Sequence, residues 1–390
     1  MFSDFTYYHN VKVEFGPGKA KSISDAVLEK GAKKVMVVTD PVLRKLGMID
    51  GVCASLDGKG IPYLVYDNVQ PNPKMSSVDE CAAIIRQQGC DFVIAVGGGS
   101  GMDVGKGAAF MAVNEGKIWD YMYLRKDAVK FAQNKPLPVA AVPTTSGTGS
   151  EVSECIVVMD DETGIKDVMY DGILLPAYAY LDPELAYKMP PFVTATTGLD
   201  VLGHAMEAYM ATLENVVADM FSREAIKMTF QYLPASVKGD KEARSYMLLA
   251  SMYAGIAQSK NGCVIPHAVS CPLSSLHKIP HGLGVGVTQI ANMAFNKSAC
   301  LKKYKEIADY VDPECAKLSE EEAMTALEDK IHKLFAEIAM DEKLDVGPVD
   351  DKHITELARL ALLEMDIDGN PVQPVTQEDM ENIFRQILKI

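Results

Sequence analysis

The stretch DFVIAVGGGSGMDVGKGAAF, residues 91–110, reads as a strand, a glycine turn and a helix. Phe92 to Val96 form an uncharged, β-branched and aromatic run, the composition of a strand covered on both faces. Gly97, Gly98 and Gly99 let the backbone approach a phosphate closely, and the free N–H groups at the following helix start attract its negative charge. Ser100 adds a hydroxyl donor. The spacing matches neither GxGxxG nor the Walker pattern with its terminal Lys-Ser/Thr, so a bare strand-to-helix turn stays open beside the phosphate site.

Reading outward, KKVMVVTD (33–40), IPYLVYDNV (61–69), LPVAAVPTT (137–145) and ECIVVMD (154–160) have the same strand composition and end in Asp, Gly or Pro. Helical segments separate the first four strands; SSVDECAAIIRQQG (76–89) opens on Ser and Asp and stops at Gly. Strands alternating with helices predict a mainly parallel sheet covered on both faces. After Pro190 and Pro191 the pattern becomes purely helical, as in SREAIKMTFQYL, KEARSYMLLASMYAGIA, EEAMTALEDKIHKLFAEIA, HITELARLALLEM and TQEDMENIFRQILKI. The expectation is an α/β, Rossmann-like dinucleotide-binding domain over 1–190 and an all-α domain over 191–390. A second glycine and hydroxyl cluster, VPTTSGTGSE (142–151), follows the fourth strand, and two such turns on one sheet suggest a dinucleotide at the switch point. The first strand ends in Thr39-Asp40. A carboxylate there would accept from an adenosine ribose and repel a 2′-phosphate, favouring NAD; Asp40 is equally well placed to cap the helix that starts at Pro41.

Composition narrows the function classes. A formal charge of −15 argues against a nucleic-acid or anionic-membrane surface. The 48% apolar content supplies a large core, and no apolar run reaches the roughly 20 residues of a membrane span. The eight cysteines show no CxxC pair, as expected of dispersed reduced thiols in a cytoplasmic protein. The N-terminal MFSDFTYYHNVKVEFGPG has neither the basic nor the apolar region of an export signal.

TTGLDVLGHAMEAYM (196–210) sets Asp200 and His204 four apart in an apolar helical stretch, on one face. A buried carboxylate and imidazole need a partner. NGCVIPHAVSCPLSSLHKIPHGLGVG (261–286) supplies candidates: three of the seven histidines lie there, and His267 and His281 each follow a proline. One oxygen and three nitrogens suit Fe2+, Zn2+, Mn2+, Co2+ or Ni2+ better than Ca2+ or Mg2+. A catalytic ion also needs an open position, so four protein ligands require a shell of five or six, which leans towards iron.

GGGSGMDVGK, PTTSGTGSE, GLDVLGHAMEAY and the HAVSC…HKIPHG segment, in that order and spacing, closely resemble the iron-containing (group III) alcohol dehydrogenase family. The resemblance covers almost the whole chain. It implies a dinucleotide-binding α/β domain, a helical metal-binding domain, and assembly as a homodimer or larger homo-oligomer. The family's metal ligands fall on Asp200, His204, His267 and His281. Its dinucleotide contacts fall on Asp40, Asn72, Gly97, Gly98, Gly99, Ser100, Asp103, Thr144 and Thr145, with Thr148, Val157, Lys166 and Leu185 beside them. Many members carry another histidine four residues after the third ligand, and this chain has Cys271 there. A thiol with a pKa near 8.5 is a poorer proton relay than imidazole, so His277 becomes the alternative if its ring turns inward. Cys155, Cys263, Cys271 and His277 are candidates for lining the pocket.

The expected activity is reversible hydride transfer between NAD(H) and a short aldehyde or primary alcohol, extending to diols, hydroxyaldehydes and anionic ω-substituted aldehydes. The ion polarises the substrate oxygen, and the cleft between the two halves takes both ligands. Three rivals share the sequence features. A zinc-dependent, glycerol-dehydrogenase-like enzyme would use fewer protein ligands. A dehydroquinate-synthase-like lyase would need a Lys, Arg and Asn cluster, where only Lys260, Asn261 and Lys278 flank the ligand segment. A catalytically silent NAD- or metal-binding protein would not need the complete ligand set.

Overall fold

The computed structural model describes residues 4–390; the first three residues of the N-terminal segment read above lie outside them. The chain divides into two compact units, one of residues 8–145 and 149–188, the other built mainly of residues 189–390 with 146–148.

The first unit holds eight strands: β1 (Lys12–Phe15), β2 (Val35–Val38), β3 (Tyr63–Tyr66), β4 (Phe92–Gly97), β5 (Val139–Pro143), β6 (Cys155–Met159), β7 (Lys166–Tyr170) and β8 (Tyr178–Leu181). Six make one sheet in the order β1-β8-β5-β4-β2-β3, with every neighbouring pair parallel. Its central strands are uncharged because both faces are covered. Met36, Val38, Val93 and Ala95 face a core shared with the helices Met75–Gln88 and Gly99–Met111. Val35, Val37, Phe92, Ile94 and Val96 face the opposite core, which includes residues of Ser24–Glu29 and Asp50–Asp57. Chain order reverses between β2 and β4, since β3 lies on the far side of β2 and β5 on the far side of β4. That is the switch point, where ligands of doubly wound sheets bind at the strands' carboxyl ends.

Three details differ from the sequence reading. Residues 154–160 do not join the main sheet: β6 pairs antiparallel with β7 in a separate hairpin, and its alternating burial shows one face half open. β1 and β8 add two parallel strands at one edge. β1 is short and mostly exposed, so it lacks the apolar signature of its neighbours. The Met75–Gln88 helix takes no cap from its own serines; instead Asp161 accepts from Ser76 N at 2.9 Å and from its hydroxyl at 2.5 Å.

The second unit contains no strand among the described residues, only an isolated bridge between Leu344 and Leu388. Its centre is the Pro191–Met210 helix, buried at every position from Gly198 to Met210. It packs against Val216–Val237, Lys241–Asn261 and His281–Val311. Among the described residues no helix is long and apolar enough to cross a membrane. None of the eight cysteines is in a disulfide.

Candidate active site

Asp200, His204 and Glu207 follow one another down the Pro191–Met210 helix at spacings of four and three, on a single buried face. His267 sits in the first turn of Ile265–His277, and His281 is the first residue of His281–Val311. The last helix comes close because residue 282 is glycine: a Cβ there would run into the Thr196 carbonyl and the Asp200 side chain. The four side chains named from the sequence meet. His204 Nδ1 lies 3.8 Å from Asp200 Oδ2, while His267 Nε2 and His281 Nε2 lie 3.8 and 3.9 Å from Asp200 Oδ1. The His204 and His267 rings are 4.4 Å apart, and those of His267 and His281 5.2 Å.

These separations are too long for hydrogen bonds and right for donors around one cation. Asp200 Oδ1, His204 Nδ1 and His267 Nε2 are buried with no hydrogen-bond partner, a costly arrangement unless a ligand satisfies them. The His267 and His281 rings are held from their far sides. His267 Nδ1 is 2.9 Å from Glu207 Oε1, so its proton lies on that side and the Nε2 lone pair points towards Asp200. Ser270 Oγ gives its only proton to the His281 carbonyl at 2.7 Å and therefore accepts from His281 Nδ1 at 2.9 Å, leaving Nε2 as the lone-pair side.

Glu207 was missed by the sequence reading although it belongs to the same polar stripe. It is fully buried, and Gln289 Nε2 donates to its Oε1 at 3.1 Å. Its Oε2 accepts from Val264 N and His267 N at 2.9 and 3.3 Å. The Ile265–His277 helix has no cap of its own, so Glu207 caps it from another helix and orients His267 with the same carboxylate.

Charge follows from this packing. Burial alone would lower the His267 imidazole, but the Glu207 carboxylate in contact with it, helped by Asp200, outweighs that and holds it up at about 9. His204 has no such carboxylate bond, and burial pushes it down. Asp366, half-buried on the Met365–Gly369 turn, is raised to about 6, chiefly by burial. Cys263, read from sequence only as a pocket candidate, belongs to the cluster: it, His204 and His267 each offer a ligand atom within 4.8 Å of the other two. Cys271 is buried one turn beyond His267. His277 is engaged elsewhere, its Nε2 lying 2.7 Å from Nε2 of His353.

In the first unit the expected dinucleotide contacts divide. Asp40, Gly97 to Ser100, Thr144 and Thr145 stand at the carboxyl ends of β2, β4 and β5 beside the switch point. Asn72, with φ at +51°, is in the loop after β3. Asp40 caps its helix, Oδ1 accepting from Val42 N and Leu43 N at 2.8 Å each, and Oδ2 is not used in the cap. Gly105 lets the glycine-turn helix lie directly on β4, since a Cβ there would collide with that of Ala95.

The other expected contacts lie further from the strand ends, and two of them already have protein partners. Asp103 accepts from the Ser150 hydroxyl at 2.6 Å and from Val157 N at 3.1 Å, and lies 3.4 Å from Lys106 Nζ. Lys106, unassigned by the sequence reading, is buried and donates to Ser150 O, Ser153 Oγ and Cys155 O. The backbone N–H of Val157 is therefore taken. Lys166 begins β7, opposite Met159, and Leu185 packs on the sheet core. Thr148 falls in the helical unit with Ser146 and Gly147.

Comparison with known proteins covers both units. The profile for "Iron-containing alcohol dehydrogenase" matches residues 10–183, and that for the "Fe-containing alcohol dehydrogenase family, C-terminal" matches 194–388. The chain belongs to the iron-containing alcohol dehydrogenase family. An NAD-dependent methanol dehydrogenase of Bacillus methanolicus is 32% identical over 379 residues, 96% of this chain and 97% of the relative. The crystal structure of a 1,3-propanediol oxidoreductase superposes with a TM-score of 0.93 at 32% identity, covering 99% of this chain and 100% of that one. A sulfoacetaldehyde reductase from Bifidobacterium kashiwanohense, solved with NAD+, gives 0.88 at 32% identity, covering 99% of both. As an iron-type alcohol dehydrogenase, the chain is an NAD-dependent oxidoreductase of alcohols and aldehydes.

Proposed function

We propose that the enzyme reversibly transfers a hydride between NADH and a short aldehyde, with Fe2+ held by Asp200, His204, His267 and His281. The observation that carries this reading is the set of buried atoms without partners, Asp200 Oδ1, His204 Nδ1 and His267 Nε2, converging beside His281, with the His267 and His281 rings oriented by Glu207 and Ser270. When bound, the cation supplies Lewis acidity at the substrate oxygen and the nicotinamide gives or takes the hydride. The chain's own residues supply everything else. Glu207 keeps the His267 proton on Nδ1, and Ser270 does the same for His281. Gly97 to Ser100 and Thr144 to Thr145 offer backbone and hydroxyl donors for a pyrophosphate, and Oδ2 of Asp40 remains available for a ribose hydroxyl. Asp103 acts one layer behind them, tying the glycine-turn helix to β6.

The three compared proteins are named for small alcohols or aldehydes, which supports a short primary alcohol, diol or hydroxyaldehyde as the substrate. The test is an anaerobic screen of NADH oxidation with short aldehydes after iron is restored, on the wild type and His267→Ala. The variant is expected to lose both bound metal and aldehyde reduction. Survival of both would overturn the assignment.

A further inference from the structure

The metal corner contains more donors than the proposed ligand set uses. Two triads overlap on His267. One is Asp200, His267 and His281, an oxygen and two nitrogens; the other is His204, Cys263 and His267, two nitrogens and a sulfur. Within each triad the ligand atoms lie within 4.8 Å of one another. Cys263 is 6% exposed and follows Gly262, just before the helix that Glu207 caps. Its thiol accompanies two imidazoles, 7% and 6% exposed, each with a buried nitrogen that has no partner. We propose that Cys263 is a sulfur donor to this centre, through which the chain captures borderline-soft divalent cations such as Zn2+ and Co2+. The proposal rests on the metal-centre reading above and deepens it.

Carboxylate oxygens favour harder ions and thiolate favours zinc over iron or manganese at a given geometry. A centre offering both can hold Fe2+ or Mn2+ through Asp200 and the imidazoles, and Zn2+ or Co2+ through the set containing sulfur. On capture a metal–sulfur bond forms, the thiol proton leaves to solvent and no electron is transferred.

The experiment loads metal-free protein with one equivalent of Co2+ and records its absorption, for the wild type, Cys263→Ser and Cys271→Ser. Wild type and Cys271→Ser are expected to show a thiolate-to-cobalt charge-transfer band in the near ultraviolet, which Cys263→Ser lacks while still binding Co2+. X-ray absorption of the Zn2+ form should add one sulfur at about 2.3 Å in the wild type only. The preference for Zn2+ over Mn2+ should fall roughly tenfold or more in Cys263→Ser, with Mn2+ affinity little changed. Cys263→Ala, with folding checked by circular dichroism, repeats the comparison without a hydroxyl. One bound Co2+ without the band, or a band that survives Cys263→Ser, overturns the sulfur assignment and leaves the oxygen and nitrogen centre standing. Failure of the wild type to bind any Co2+ overturns both.

Discussion

The two chemically marked regions of the molecule handle buried polar groups in opposite ways. In the proposed metal corner, atoms of Asp200, His204 and His267 are buried without hydrogen-bond partners. Behind the glycine turn, Asp103 is satisfied by Ser150, Val157 and Lys106, and Lys106 by four oxygens besides. Unsatisfied groups that converge indicate a ligand, whereas saturated ones indicate a brace. Substitution should therefore cost function in the first region and stability in the second.

The sharpest contrast is expected from His204→Ala. Losing the Lewis acid removes several kcal/mol of transition-state stabilisation, so aldehyde reduction should fall about 1,000-fold or more. Thermal unfolding of the metal-free protein should change little, because the buried imidazole carries an unpartnered nitrogen; a large drop in the metal-free Tm would place His204 among the braces. Asp103→Ala should do the reverse. It strands the buried Lys106 ammonium and should lower stability by about 3–5 kcal/mol in denaturant titrations, whatever metal is bound. An unchanged midpoint would remove the brace from the account.

Glu151 breaks the pattern within the first unit and so refines it. Both its oxygens are buried without partners, and burial raises its carboxyl from 4.5 to about 7. Between those values the folded chain keeps a proton that the unfolded chain releases, so stability falls as pH rises through that window. The loss should approach about 3 kcal/mol above pH 7, and Glu151→Gln should abolish it. Unfolding curves at pH 5 and 8 decide the matter, and equal slopes for the two proteins would contradict it.

Glu207→Gln should give an intermediate effect, weakening metal affinity about 10–100-fold through loss of second-layer support to His267. It also alters pH dependence. Because the Glu207 carboxylate favours the charged His267 ring, protons compete with the cation for this ligand, so affinity falls as pH drops. Without the carboxylate that competition moves to lower pH. Titrations between pH 6 and 10 should show the shift, and superposable profiles would refute it. The smallest change is expected from Asp40→Ala, which should raise KM for NADH about tenfold by losing a ribose acceptor and cost about 1 kcal/mol through the lost cap. An unaltered KM would restrict Asp40 to capping.

Much of this was legible in the residues. The β2, β4 and β5 runs are uncharged because both faces are buried, and that composition alone indicates parallel strands. β1 and the β6–β7 hairpin were harder because each leaves a face open, which weakens the same signal. The four residues proposed as metal ligands stood out as polar side chains in apolar helices. Glu207 stood in the same stripe, but its task depends on Val264 and His267, 57 and 60 residues further along the chain. Cys263 likewise gains meaning only once the Ile265–His277 helix sets it beside His204. The saturation of Asp103 requires Ser150 and Val157 to arrive from another segment, which neither turn motif announces.

The central claim is that Asp200, His204, His267 and His281 share one cation. Its most direct test is an anoxic equilibrium titration of metal-free protein with Fe2+, with bound metal counted per chain for the wild type and Asp200→Ala. The account predicts one ion per wild-type chain and loss of that binding in the variant, with the fold intact. Wild-type protein that binds no iron, or a variant that binds one equivalent with unchanged affinity, would contradict it.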